Sequence, residues 1–282
     1  MYAARAYFDE IKGSFSKLIR RYPSKRLNPE VCFSTGTLGG FHCKIRNKLA
    51  ILQQITYLNP VRYSEYEIAF SPARLKKYLD ACGGDRVKAL SLYRHNIKLC
   101  QKFYGILNVF EVVLRNAINL HYCKYFSDPN WIRNQCKVGG MLERAPQRTE
   151  IERTVEMLLR QDKYSNDRIV SSVSFGFWTY LFNRIPYRSG GMSLLKIFPN
   201  KTSGVGQRTI YNELQDIKSF RNRIAHHEAI CFNSNGNIDM KYAEEKIDLI
   251  KKYVIFLGYN PIELFWGTGI KPYSLFDKIM KL

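Results

Sequence analysis

Between Asp85 and Asp128-Pro129-Asn130 the chain carries one long helical pattern, and a helix of that length leaves few folds open. Val87, Leu90, Ile97, Phe103, Leu107, Phe110, Leu114 and Ile118 recur on a consistent face, the mark of an amphipathic helix whose apolar stripe must be covered by other elements. Asp85 fits the N-cap, and Gly105 marks a bend, because glycine weakens a helix interior.

The segments around this run also read as helices. Ser71-Pro72 is an N-cap followed by proline at the first helical position, opening a helix to about Cys82 that Gly83-Gly84 stops. Met141 to Arg160 is amphipathic, with Ile151, Val155, Leu158 and Leu159 inward. Val173 to Arg184 is so aromatic that it reads as a buried helix; a base-stacking platform would need those rings exposed. Pro186, Gly190-Gly191, Pro199 and Gly204 punctuate a longer connection. A helix is expected from Arg208 to about Ile230, a tight turn at Asn233-Ser234-Asn235-Gly236-Asn237, and a final helix from Asp239 to Leu257 with Gly258 as its C-cap. With no internal repeat and no alternating strand–helix pattern, the fold class is mainly α, a helical bundle over 66–282.

Residues 1–65 form a basic, partly irregular N-terminal extension. Tyr7 to Tyr22 has helical spacing up to Pro23, and Lys25 to Gly40 is rich in turn formers. Its cations include Arg20, Arg21, Lys25, Arg26, Lys44, Arg46 and Lys48, against the single acid Glu30 between Lys12 and Lys48. Either this is a solvated arm or it grips phosphates. Over all 282 residues, 44 Lys and Arg against 24 Asp and Glu give a formal charge of +20, which favours the second reading and a polyanionic partner. No apolar run approaches a spanning helix, and no signal peptide opens the chain, so a cytoplasmic location without membrane contact is expected. Seven scattered cysteines without a C-x-x-C pair argue against a disulfide framework. Cys32 and His42-Cys43 match no familiar zinc spacing, and neither a metal nor another cofactor is expected.

The chemistry concentrates in Arg221-Asn222-Arg223-Ile224-Ala225-His226-His227. Arginine grips phosphate through a planar fork of donors, and histidine moves protons near neutral pH. On an ideal helix Ile210, Leu214, Ile217 and Ile224 form a stripe with Arg221 inside it. Asn222 and His226 share a face, whereas Arg221 and His226 stand ~140° apart. Either the arginine reaches around, or two copies of the helix pool their groups across a dimer axis. Glu111 lies on the apolar stripe of the long helix and needs a partner, Arg115 locally or Arg221 at long range. That carboxylate either fixes helix register or orients Arg221. His227 could cap, pack or assist. Arg223 is a further candidate for RNA contact. A catalyst built on Arg221, Asn222 and His226 could cut RNA without a metal; the competing reading is a non-catalytic RNA-binding protein on the same basic surface. No Gly-rich nucleotide loop supports a nucleotide-modifying enzyme.

Arg221-Asn222-Arg223-Ile224-Ala225-His226 resembles the R-x4-H motif of HEPN ribonucleases in its R-N-x-x-x-H form. Ser71-Pro72-Ala73-Arg74-Leu75, Leu92-Tyr93-Arg94-His95-Asn96, Phe110 through Asn116, Ser174-Phe175-Gly176 and Phe220 through Glu228 resemble successive signatures of the Abi family, of the AbiD and AbiF type. The resemblance spans roughly Tyr66 to Leu257. It implies a HEPN-type helical bundle, commonly a homodimer with two motifs meeting in a cleft. It also implies a bacterial abortive-infection ribonuclease toxin restrained by an antitoxin, which in some relatives is a small structured RNA.

Overall fold

The computed structural model describes residues 62–266 and 273–281, and its helical unit begins at Arg62. Twelve α-helices occur among the described residues: α1 (Tyr63–Phe70), α2 (Pro72–Ala81), α3 (Arg86–Tyr125), α4 (Trp131–Gln135), α5 (Arg148–Arg160), α6 (Asn166–Ser172), α7 (Phe175–Tyr180), α8 (Arg184–Ser189), α9 (Gln207–Ala225), α10 (Lys241–Phe256), α11 (Pro261–Trp266) and α12 (Tyr273–Met280). A short 3-10 turn spans Leu194–Ile197. The described residues hold no strand, only the isolated bridge between Phe232 and Ile238. The chain is mainly α-helical.

Helix α3 is the spine. At 1.5 Å per residue its 40 residues run about 60 Å. The Asp85 carboxylate accepts from the backbone N–H groups of Val87 (2.9 Å) and Lys88 (3.0 Å), the expected N-cap. Gly105 does not break the helix. Helices α1, α2, α6, α7, α9, α10, α11 and α12, with the 3-10 turn, all pack against α3. Leu92, Leu99, Phe103, Ile106, Phe110, Leu114, Ile118 and Tyr122 are buried along it. Val87 and Ile97, expected on that stripe, are exposed instead, because both lie well around the helix from Leu92 and Leu99.

Aromatic rings lock the neighbouring helices to the spine. Phe103 of α3 meets Phe220 of α9 edge-on at 5.0 Å between centroids. Phe110 meets Phe175 of α7 at 6.2 Å and Tyr253 of α10 at 6.4 Å. Phe175, Phe177, Trp178 and Phe182 are all buried, so this aromatic run is core and offers no stacking platform. Helices α9 and α10 are tied by polar contacts. Lys246 bonds Asp216 at 2.5 Å, and Glu213 accepts from Lys252 (2.8 Å) and from the hydroxyl of Tyr253 (2.7 Å).

Other boundaries also depart from expectation: the Val173–Arg184 run is helical over Phe175–Tyr180, and a separate helix starts at Arg184. Helix α5 begins at Arg148 rather than Met141, because proline at 146 disfavours helical geometry in Ala145; its Leu159 is exposed. Helix α9 stops at Ala225, short of Ile230. Helix α1 precedes Ser71, where no helix was expected. The turn at Asn233 forms as expected: its side-chain oxygen accepts from the N–H groups of Asn235 (3.0 Å) and Asn237 (3.1 Å).

Phe103 is fully buried between α3 and α9. Phe103→Ala should therefore destabilise the protein by about 3–5 kcal/mol, transfer and cavity costs together. Urea denaturation checks this; a loss under about 1 kcal/mol would mean that α9 is not held by this contact.

Candidate functional site

The Arg221–His227 segment straddles a helix end. His226 is the C-cap of α9, and its N–H still donates to the carbonyl of Asn222 at 2.9 Å. His227 then turns left-handed, with φ of 58°. The N–H of His227 donates to Ile224 (3.0 Å) and that of Glu228 to Arg223 (2.9 Å). This pair of bonds is a Schellman motif, in which glycine usually takes the left-handed place. A histidine there bears strain on the order of 1 kcal/mol. Helical phase explains the display that results: Arg221 borders the buried stripe of Ile210, Leu214, Ile217, Phe220 and Ile224, while His226 faces outward and is exposed.

The turn that follows is fastened from two distant segments. Arg74 of α2 donates to the carbonyl of His227 at 3.1 Å, across 153 residues. Asn96 of α3, itself buried, accepts from the N–H of Ile230 at 3.0 Å, across 134 residues. The Cys100 thiol lies 3.9 Å from the carbonyl of Glu228. Arg223, expected to contact RNA, is occupied within the fold. It bonds Glu228 (3.1 Å) and the carbonyl of Ala229 (2.8 Å), and its guanidinium lies 4.8 Å over the ring of Tyr242. The roles of Arg74 and Asn96 were invisible in sequence, although both lie in segments singled out there.

Around Glu111 the geometry is different. Burial raises the pKa of its carboxyl, and the positive charges of Arg221 and then Arg115 oppose that shift without cancelling it. Both arginines are thus near Glu111. Yet among the described residues none of the three forms an ion pair within 4.0 Å, and Nε of Arg115 is buried with no hydrogen-bond partner. Cations held close to a carboxylate without gripping it are available to another anion.

The other two described histidines, His95 and His121, are structural. Nδ1 of His95 lies 2.7 Å from the carbonyl of Ser91, and Nε2 of His121 lies 2.9 Å from the Ser193 hydroxyl. Burial lowers the His121 pKa. His42, Cys32, Cys43, Arg20, Arg21, Lys25, Arg26, Lys44, Arg46 and Lys48 lie outside the described residues. Among those described, no three His, Cys, Asp or Glu side chains converge as a metal site, and no helix is long and apolar enough to cross a membrane.

No protein-family model, no curated protein and no solved structure matches the chain.

Two variants probe this geometry. A carboxylate whose folded pKa is raised contributes stability that is complete below the ordinary carboxyl range and is lost as pH rises through the raised value. Glu111→Gln should therefore be more stable than wild type at neutral pH, and the gain should vanish below about pH 4. Urea midpoints at both pH values decide this; a lower midpoint for the variant at neutral pH would reverse the sign assigned to Glu111. Asn96→Ala leaves the buried N–H of Ile230 unsatisfied, and should cost about 1–3 kcal/mol in the same measurement.

Proposed function

We propose that this protein is a metal-independent endoribonuclease with a HEPN-type helical fold. The observation that carries the reading is the end of α9. An arginine that forms no ion pair among the described residues and an exposed histidine stand there, five residues apart, on a chain with a formal charge of +20.

In the proposed reaction the 2′-hydroxyl of RNA attacks the adjacent phosphorus. The bond to the 5′-oxygen breaks, leaving a 2′,3′-cyclic phosphate and a 5′-hydroxyl. His226 exchanges protons with the nucleophile or the leaving oxygen, a role its exposure permits. Arg221 stabilises the charge that builds on the phosphoryl oxygens. Asn222, one turn before His226, positions the imidazole or the phosphate. Glu111 and Arg115 support Arg221, and His227 shapes the turn that presents His226. Because Arg221 and His226 diverge by ~140° around α9, one active centre draws on two copies of the chain, and the functional unit is a homodimer. The need for a 2′-hydroxyl selects RNA over DNA.

The resemblance of the motif and its companion segments to the Abi family extends this reading to the biology: a cytoplasmic toxin of a bacterial abortive-infection or toxin–antitoxin defence against phage, restrained by a small structured RNA. The wholly non-catalytic RNA-binding reading shares the basic surface and differs in turnover.

Incubation with mixed RNA in EDTA tests the proposal. Wild type should cut and leave cyclic-phosphate ends, while Arg221→Ala and His226→Ala should each lose at least about 100-fold. His227→Gly should keep cutting and gain thermal stability, since glycine relieves the left-handed strain. Cutting that survives both alanine variants, or that needs a divalent metal, refutes the mechanism. Tight RNA binding without cutting moves the assignment to the non-catalytic reading.

A further inference from the structure

Helix α2 is anchored by Leu75 and Tyr78, both buried; the Tyr78 ring lies 5.1 Å from that of Phe232 and 5.1 Å from that of Tyr93 on α3. Arg74 and Lys77, each one position earlier, form a parallel row that is exposed, with Cβ atoms about 5–6 Å apart. Both ends of the row sit on the segment that follows α9. Nη1 of Arg74 donates to the carbonyl of His227 at 3.1 Å, and Nζ of Lys77 lies 4.7 Å over the ring of Phe232. The row therefore runs alongside residues 227–232 and starts one residue from His226. Among the described residues no carboxylate lies within 4.0 Å of Arg74 or Lys77, and the two acids of these segments are engaged elsewhere: Asp80 bonds Lys76 at 2.6 Å, and Glu228 bonds Arg223 at 3.1 Å. Phe232 is buried, so Lys77 rests its stem on the core and leaves its donors to solvent. Arg74 commits one edge of its fork to His227 and keeps further N–H donors free. Two exposed, unneutralised cations held at a fixed spacing suit two successive anions.

We propose that Arg74 and Lys77 form a phosphate-binding row on α2, which takes neighbouring phosphates of a single RNA strand and lays that strand along the turn that carries His226. The choice of RNA as ligand rests on the ribonuclease reading. The row itself rests on the contacts that fix both cations beside residues 227–232. The guanidinium of Arg74 joins strand and turn, one edge on the carbonyl of His227 and another on a phosphate oxygen. Both are positioning residues: they contact the bound strand but no reacting atom.

The test uses a single-stranded RNA with 2′-O-methyl groups throughout, which cannot be cut by 2′-hydroxyl attack. Its binding to the full chain is measured by fluorescence anisotropy over a series of salt concentrations. Lys77 is the first position to change, because its ammonium makes no hydrogen bond to a described residue, whereas Arg74 also fastens the turn. Lys77→Gln should weaken binding by about tenfold and lower the magnitude of the salt slope by about 0.7, the loss of one phosphate contact to a single strand. Adding Arg74→Gln should bring the loss of slope to about 1.4, one contact from each cation. Lys77→Arg, which keeps the charge, should bind within about twofold of wild type. Changing Lys137, an exposed lysine in the turn after α4, to Gln should leave affinity and slope as in wild type. Equal affinity and slope for Lys77→Gln and Lys137→Gln overturn the row, as does absence of binding by wild type. A double variant with the slope of Lys77→Gln alone overturns it as well. So do equal losses in Lys77→Gln and Lys77→Arg, because the effect would then be one of packing on Phe232. If the expected Lys77 and Arg74 pattern appears but unmodified RNA is never cut, the row stands and the ribonuclease reading falls.

Discussion

A helix about 60 Å long cannot shelter its apolar stripe with a single neighbour, and everything else in this unit follows from that constraint. Among the described residues, at least nine other elements contribute short stretches of cover along α3. Segments far apart in sequence therefore become neighbours along one axis. Phe220 arrives at Phe103, Phe175 and Tyr253 arrive at Phe110, and the turn after α9 arrives at Asn96 and Cys100. Helix α9 consequently runs back along α3, which carries Arg221 towards Glu111 and the histidines towards the start of the spine.

Polar groups at the two ends of that path are treated differently. Past Ala225 the backbone is bound at nearly every step, by the helix-end hydrogen bonds and by Arg74, Asn96 and Arg223. Near Glu111 the charged groups approach without direct contact, in a half-buried setting where unmet charge is costly. The first arrangement holds a histidine in place. The second leaves cations ready for an incoming anion. The ribonuclease proposed above would need both.

Much of the fold was legible because its signals are local. Ser71-Pro72, Asp85, the Asn233 turn and the stripe of Ile210, Leu214, Ile217 and Ile224 depend on neighbours within a few residues. Elements whose cause lies elsewhere were misread. Helix α1 leaves Ile68 and Phe70 exposed, so its apolar residues announce no clean face. Val87 and Ile97 read as core because an apolar side chain carries no label for which helix will cover it. The end of α9 carries no glycine to mark it; His227 adopts the left-handed conformation instead. In the candidate site, the approach of Arg221 to Glu111 was among the readings open from the cost of burying a carboxylate. Arg74 and Asn96 were beyond reach, since only tertiary structure brings them to His227 and Ile230.

The fastening of the turn after α9 also sets when in the life of the chain that turn can exist. Residues 227–230 emerge from synthesis long after α2 and α3, and their donor at Arg74 and acceptor at Asn96 are already waiting. The turn is thus a late arrival, closing a loop of more than a hundred residues with two hydrogen bonds. Its placement reports on the docking of α2 as much as on its own sequence. Any event that lifts α2 from α3 reaches the histidines directly, with the buried aromatic contacts of α9 still intact.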